Sequence, residues 1–356
     1  MKNILTLLLL ISFFHGCNKD AGDTSGKNET MFFPENNNTS IWETKSMKEL
    51  GWNESGIPAL KAYLIEKNTK SFMILVNGRI VMEEYFNGHT ANDTWEWNSA
   101  GKTLVTATTG IAQQEGLMNI EDKVTKQLGN WTSMPSEKEN LITSRHLLTM
   151  TSGINDEKEL VIRSNLSYMA DAGTRWSYHN VFQRLMDVVA AASKQDFETY
   201  FNAKLKNKIG MDGFWNNGVL FKLYHSNTRS MARFGLLALN LGKWKNETIV
   251  DEKFFKESVT TSQNINPSYG YLWWLNGKTK YMLPGGQTVF ESTLVPNAPA
   301  EMYAAMGALD QRIYIIPSSK MVIIRMGNAA EPKNPSFAVS GFDNQLWEKI
   351  NGVIKK

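Results

Sequence analysis

The chain has 356 residues, of which 42% are hydrophobic and 11% aromatic, ample for a large packed core. Its net charge of +3 comes from Lys, Arg, Asp and Glu scattered along the whole length, so no basic stripe points to nucleic acid. The single cysteine, Cys17, excludes an internal disulfide framework.

The chain opens with Met1-Lys2-Asn3, then an apolar run from Ile4 to Phe14 that is too short to span a bilayer and reads as a secretory leader. Cys17 follows directly after Gly16, a placement that resembles a bacterial lipoprotein signal in which the cysteine is lipidated and becomes the new N-terminus. Phe14 and His15 depart from the small or aliphatic residues usual before such a cleavage site. Residues 1–17 are therefore expected to be a signal peptide and 18–41, rich in Asn, Asp, Gly, Ser and Thr, a flexible tether. The expected location is periplasmic or at the cell surface, held to the membrane through the N-terminal lipid only.

From residue 42 to 356 the composition is globular. Ile57, Leu60, Tyr63 and Leu64 predict a helix with Pro58 in its first turn. Two β-rich runs, Ser71 to Val76 and Arg79 to Phe86, flank Asn77-Gly78, a strong hairpin signal. Leu104, Ala107, Ile111 and Ala112 recur at helical spacing, so a helix starts close to Ser99. From about residue 119 to 242 the pattern is mainly helical, with helices over Ile142 to Met150, Val181 to Ala192 and Met231 to Leu241. Strands then return. Tyr269 to Leu275 leads into Asn276-Gly277, a second hairpin signal, and Met302 to Ala305 runs toward Gly307. Arg312 to Ile316 and Met321 to Arg325 flank Pro317-Ser-Ser-Lys, a third. Phe342, Leu346, Trp347, Ile350 and Ile354 predict an amphipathic C-terminal helix. The expected class is α+β: one antiparallel sheet built from both ends of the chain, flanked by terminal helices, with an inserted all-helical lobe and a cleft between them.

Ser99 and Lys102 lie three apart, on one face of the first turn of their helix. A hydroxyl there sits among free backbone N–H groups at the positive helix end. A neighbouring amine kept out of bulk water can lose its proton and accept the one from Ser99. The plain alternative is an N-cap serine followed by a solvated lysine, and the pair alone favours it. Further along, Gly173 marks a turn and Val181 begins a helix, which puts Tyr178 and Asn180 on the loop between. Tyr178 reads either as a half-buried ring or as a phenol that relays protons beside an ammonium. Asn180 reads either as an N-cap or as an amide that orients the lysine and a substrate carbonyl.

Ser99-Ala-Gly-Lys102, Tyr178-His-Asn180 and the strand around Gly307-Ala308-Leu-Asp310-Gln311 stand in the order and rough spacing of a known family. The chain resembles the serine β-lactamase and penicillin-binding-protein superfamily, most closely the class C-like branch that also holds esterases, D-aminopeptidases and 6-aminohexanoate-oligomer hydrolases. Leu147 to Gly153 and Tyr269 to Trp274 are similar to that branch too, and the resemblance covers roughly residues 42 to 350. It implies that Ser99 is the acylated nucleophile, Lys102 its partner base, Tyr178 the proton shuttle and Asn180 a support for both. It further implies an oxyanion hole from the backbone N–H groups of Ser99 and Ala308, with Gly307, Gln311 and Trp97 as candidate substrate contacts.

One departure separates the chain from the β-lactamases of that branch, which carry Lys-Thr-Gly on the edge strand. Ala305-Met306-Gly307 keeps only the glycine, and Lys278-Thr-Lys280 merely mimics the motif. His146, His179 and His225 lack metal-ligand spacing, and no Gly-x-Ser-x-Gly elbow surrounds Ser99. Trp95, Trp97, Trp176, Trp273 and Trp274 lie near the motifs, most of them as core. The expected activity is a serine hydrolase using an acyl-enzyme on ester or amide bonds of small or peptide-like substrates, with neither metal nor cofactor. The rivals are a β-lactamase or D-Ala-D-Ala carboxypeptidase, and a catalytically silent muropeptide-sensing protein.

Overall fold

Asn77 and Gly78 both adopt positive φ, 49° and 82°, the pairing that a type I′ two-residue turn requires. They join β1 (Thr69–Val76) to β2 (Arg79–Tyr85), as their sequence predicts. The computed structural model describes residues 29–36, 41–336 and 338–354, and Met31–Lys356 form one unit. The leader, Cys17 and most of the expected tether lie outside the described residues.

Three short strands, β3 (Trp95–Glu96) and the hairpin of β4 (Phe214–Asn217) with β5 (Lys222–Ser226), form a small sheet in the order β3-β5-β4. The main sheet adds β6 (Trp274–Leu275), β7 (Tyr303–Gly307), β8 (Gln311–Ile316) and β9 (Met321–Gly327). Its order is β2-β1-β9-β8-β7-β6, antiparallel at every pairing. Strands from both ends of the chain therefore share one sheet, which is the α+β arrangement expected from the sequence.

The longer helices are α1 (Ile57–Glu66), α2 (Lys102–Gln114), α3 (Arg184–Ser193), α4 (Thr228–Leu239) and α5 (Gly341–Ile354). Because side chains alternate along a strand, β8 and β9 are covered on both faces. Ile313, Val322 and Ile324 meet α4, where a Cβ on Gly235 would stand 2.5 Å from a Val322 methyl. On the opposite face Tyr314 packs edge-on against Trp347 of α5, and Arg325 lies over the Phe342 ring. Every residue of both strands is buried as a result. Helix α2 is buried from Lys102 through Ala112, and Thr108 and Thr109 satisfy their hydroxyls on the carbonyls four residues back.

Three expectations change. Residues 31–36 belong to the globular body, not to a tether: Phe32 N–H donates to Asn77, Phe33 packs on Trp244, and Arg233 donates to the carbonyls of Pro34 and Glu35. The stretch 119–242 is not all-helical, since it contributes the β4–β5 hairpin, and its last helix, α4, packs on the main sheet. Asn276-Gly277 does not close a hairpin, because β6 pairs with the distant β7. The Asn276 side chain is instead buried and organises the following loop, donating to the carbonyls of Val295, Ala298 and Pro299.

Candidate active site

Trp97, Asn98 and the turn that follows set the direction of Ser99. The indole of Trp97 is fully buried and donates to Ser226 Oγ at 2.8 Å, and its backbone N–H donates to Tyr224 of β5. Asn98 then takes the left-handed conformation, φ 48°, that asparagine tolerates better than most residues. Its side-chain amide donates to the Ala308 carbonyl at 3.0 Å and so ties this turn to the end of β7. Residues Asn98–Gly101 form a 3-10 turn that leads directly into α2, so Ser99 stands one turn ahead of the regular helix.

Lys102 Nζ lies 2.7 Å from Ser99 Oγ, and the lysine is only 2% exposed. Burial lowers its amine to about 7, with Glu159 pulling the other way. Three ring faces surround the nitrogen, Phe182 at 4.4 Å and Tyr178 and Phe221 at 4.8 Å each. Such faces offer an ammonium part of the stabilisation that water would give. The Tyr178 phenol is pushed up to about 12, by burial first, with the nearby Ser99 hydroxyl and the Arg312 charge opposing. It is therefore a phenol, not a phenolate, at neutral pH. Ser99 itself, 8% exposed, is the apex at which these groups meet.

Tyr178 is clamped by aromatic neighbours. It stacks on Trp274 at 5.8 Å and meets Tyr269 and Trp176 edge-on or tilted. Asn180 opens a 3-10 turn (Asn180–Gln183) capped by His179, and its amide donates to the Glu159 carbonyl at 3.4 Å. His179 Nε2 donates to the Lys158 carbonyl while Nδ1 accepts from Val181 N–H, which specifies the neutral tautomer. Burial lowers the His179 pKa in the same sense. The 155–171 loop is thus fastened beside Lys102 and Tyr178. Among the described residues no cluster of three His, Cys, Asp or Glu side chains is arranged to hold a metal ion.

Gly307 ends β7 against the turn that carries Ser99. A Cβ there would lie 2.4 Å from the Trp97 carbonyl oxygen, 2.9 Å from Ala100 N and 3.0 Å from Ser99 N. Only a residue without a side chain lets the strand approach this closely. Gly307→Ala should cut kcat/KM on the order of 100-fold by pushing strand and turn apart. Steady-state kinetics together with a thermal melt check this, and unchanged turnover would show that the close approach is dispensable.

The Gly307 carbonyl accepts from Arg312 Nη1 at 2.8 Å. No cis peptide bond occurs among the described residues, so the Ala308 N–H points the opposite way. The expected substrate contacts divide at this point. Gln311 is fully buried, its amide donating to the Leu309 and Gly327 carbonyls and accepting from Gly327 N–H, and Trp97 is enclosed behind Ser99. Both brace the site from within. Phe182, Phe221 and Arg312 were not foreseen, since nothing in the order of residues along the chain marks which rings or cations fold back onto one lysine or one carbonyl.

A family model described as Beta-lactamase matches residues 64–339 of the chain. No curated relative matches by sequence. Among solved structures, a protein assigned as a 6-aminohexanoate-dimer hydrolase in Bacillus anthracis is similar with a TM-score of 0.68 at 16% identity, over 91% of this chain and 88% of that one. A protein assigned as a beta-lactamase in Bacteroides dorei DSM 17855 gives 0.67 at 15% identity, over 86% of this chain and 100% of that one. EstCE1, a hydrolase with promiscuous acyltransferase activity, gives 0.62 at 11% identity, over 86% and 99%. At such identities the likeness carries the fold.

Proposed function

The chain belongs to the beta-lactamase family, and from that premise we propose that it is a serine hydrolase that forms an acyl-enzyme at Ser99 on small ester or peptide-like amide substrates. The observation that carries the reading is the buried Lys102 amine 2.7 Å from Ser99 Oγ, with its pKa lowered to about 7 by burial. A neutral amine keeps a lone pair for the Ser99 proton as Oγ attacks the acyl carbon. The Tyr178 phenol then protonates the departing alcohol or amine and regains a proton from the Lys102 ammonium. Water repeats the attack on the acyl carbon, with the proton travelling the same route, and frees the acid. The N–H groups of Ser99 and Ala308 are the donors for the oxygen of each tetrahedral intermediate.

Esters and uncharged amides are favoured over penicillin-like carboxylates by the makeup of β7. Ala305 and Met306 stand where the β-lactamase motif has Lys-Thr, and both are buried. Leu160, next to the Glu159 carbonyl that Asn180 holds, and Leu220, whose own carbonyl accepts from Gln183, are exposed and apolar. A panel of nitrophenyl esters, a D-Ala-D-Ala peptide and a chromogenic cephalosporin tests this. Turnover is expected on the esters or on small amides, with the cephalosporin left intact. Fast cephalosporin hydrolysis without ester activity would favour a β-lactamase, and no turnover or labelling at all would favour a silent binding protein.

A further inference from the structure

The turn between β7 and β8 is held in an unusual way. Leu309 and Asp310 both adopt left-handed φ, 58° and 61°, where a side chain costs about 1 kcal/mol or more. Four consecutive carbonyls of this turn are anchored by side chains. Gly307 accepts from Arg312 at 2.8 Å and Ala308 from Asn98 at 3.0 Å. Leu309 and Asp310 accept from Arg325 Nη1, at 2.8 and 3.0 Å. Both arginines are fully buried.

Arg312 spends its whole donor set inside the protein. Nε and Nη2 meet the Asp343 carboxylate at 2.6 and 3.0 Å, and Nη2 also reaches Asp310 at 2.9 Å and the Ala338 carbonyl at 2.7 Å. Nη1 holds the Gly307 and Gln311 carbonyls. Asp343 is fixed in turn by the Tyr314 hydroxyl and the Ser340 N–H. Burying such a pair is a weak way to gain stability, because desolvation cancels most of the attraction. A fully satisfied network is, however, a strong way to hold one backbone orientation.

We propose that Arg312 is a positioning residue for acyl transfer: its guanidinium fixes the Gly307–Ala308 peptide plane so that the Ala308 N–H is presented toward Ser99, and its charge polarises that peptide into a stronger donor. A cation on the carbonyl oxygen draws electron density along O=C–N–H, and the N–H bonds more tightly to an anionic oxygen. The benefit appears where negative charge develops, in the tetrahedral intermediate, and hardly at all with a neutral ground-state carbonyl. The inference rests on the acyl-enzyme reading of Ser99.

The test compares Arg312→Lys and the double variant Arg312→Met with Asp343→Leu, which replaces the buried pair by apolar side chains, against Tyr314→Phe. Kinetics on a nitrophenyl ester, inhibition by phenylboronic acid, the rate of fluorophosphonate labelling and thermal melts are read for each. Both Arg312 variants should lose kcat on the order of 10- to 100-fold with KM nearly constant, and boronate affinity should fall in parallel. Tyr314→Phe, which removes a bond to Asp343 but leaves Arg312 on Gly307, should lower the melting temperature and keep kcat. The double variant keeps the test open if Arg312→Lys does not fold. Wild-type kcat and boronate affinity in a folded Arg312 variant would overturn the proposal, as would a kcat loss in Tyr314→Phe proportional to its thermal loss. A wild-type protein inert to fluorophosphonate would overturn the acyl-enzyme reading and this inference with it.

Discussion

Lys102→Met should lower kcat/KM on the order of 10⁴-fold and at the same time raise the melting temperature. The two effects have one cause. Burial holds the wild-type amine at about 7, far under the ordinary lysine value, so the charged form is penalised in the folded protein. Between about pH 7 and pH 10 the unfolded chain carries a proton that the folded one has given up, and stability rises with pH across that window. Below about 7 the full penalty for enclosing the ammonium is present. Methionine removes it, so the gain in stability should be largest at acid pH and shrink toward pH 10. Melts at pH 6 and pH 9 measure this, and an equal shift at both would refute the burial argument. The activity of the wild type should follow the same ionisation, rising with pH through about 7 and then staying flat. No second limb is expected below pH 10, because the Tyr178 phenol titrates only near 12.

Ser99→Ala should reduce turnover by about 10⁵-fold while leaving the fold intact. The hydroxyl contributes a bond to Lys102, and a neutral amine tolerates its loss better than a charged group would. Circular dichroism and a thermal melt should match the wild type within a few degrees. Collapse of the fold in this variant would mark Ser99 as a structural serine instead.

Much of this arrangement was legible in the residues because it depends on local rules. Asn77-Gly78 specifies its turn through backbone conformation alone, and the C-terminal apolar spacing specifies α5 through helix periodicity. The three-residue step from Ser99 to Lys102 places both groups on one turn whatever surrounds them. Features decided by distant partners were hidden. Asn276-Gly277 has the same letters as the first turn, yet a loop from 293 to 299 claims its side chain. Phe32 and Phe33 sit in a polar stretch and join the body because Trp244 and Arg233 are there to receive them. Arg312 and Arg325 look like solvent-facing charges on strands, and their burial rests on Asp343 and on the carbonyls of a turn that no spacing rule predicts.

The protons at the site follow from the same physics as its packing. A lysine is enclosed, and its amine loses affinity for a proton. A phenol is enclosed by Trp274, Tyr269 and Trp176, and it keeps its proton. Two groups pushed in opposite directions leave an acceptor and a donor on either side of one hydroxyl at neutral pH.

Peptide mapping of the wild-type protein after brief exposure to a fluorophosphonate tests the central claim most directly. A single stoichiometric adduct on Ser99, forming faster as pH rises through about 7, is the predicted result. An adduct on another residue, or none under conditions that label a control serine hydrolase, would contradict it.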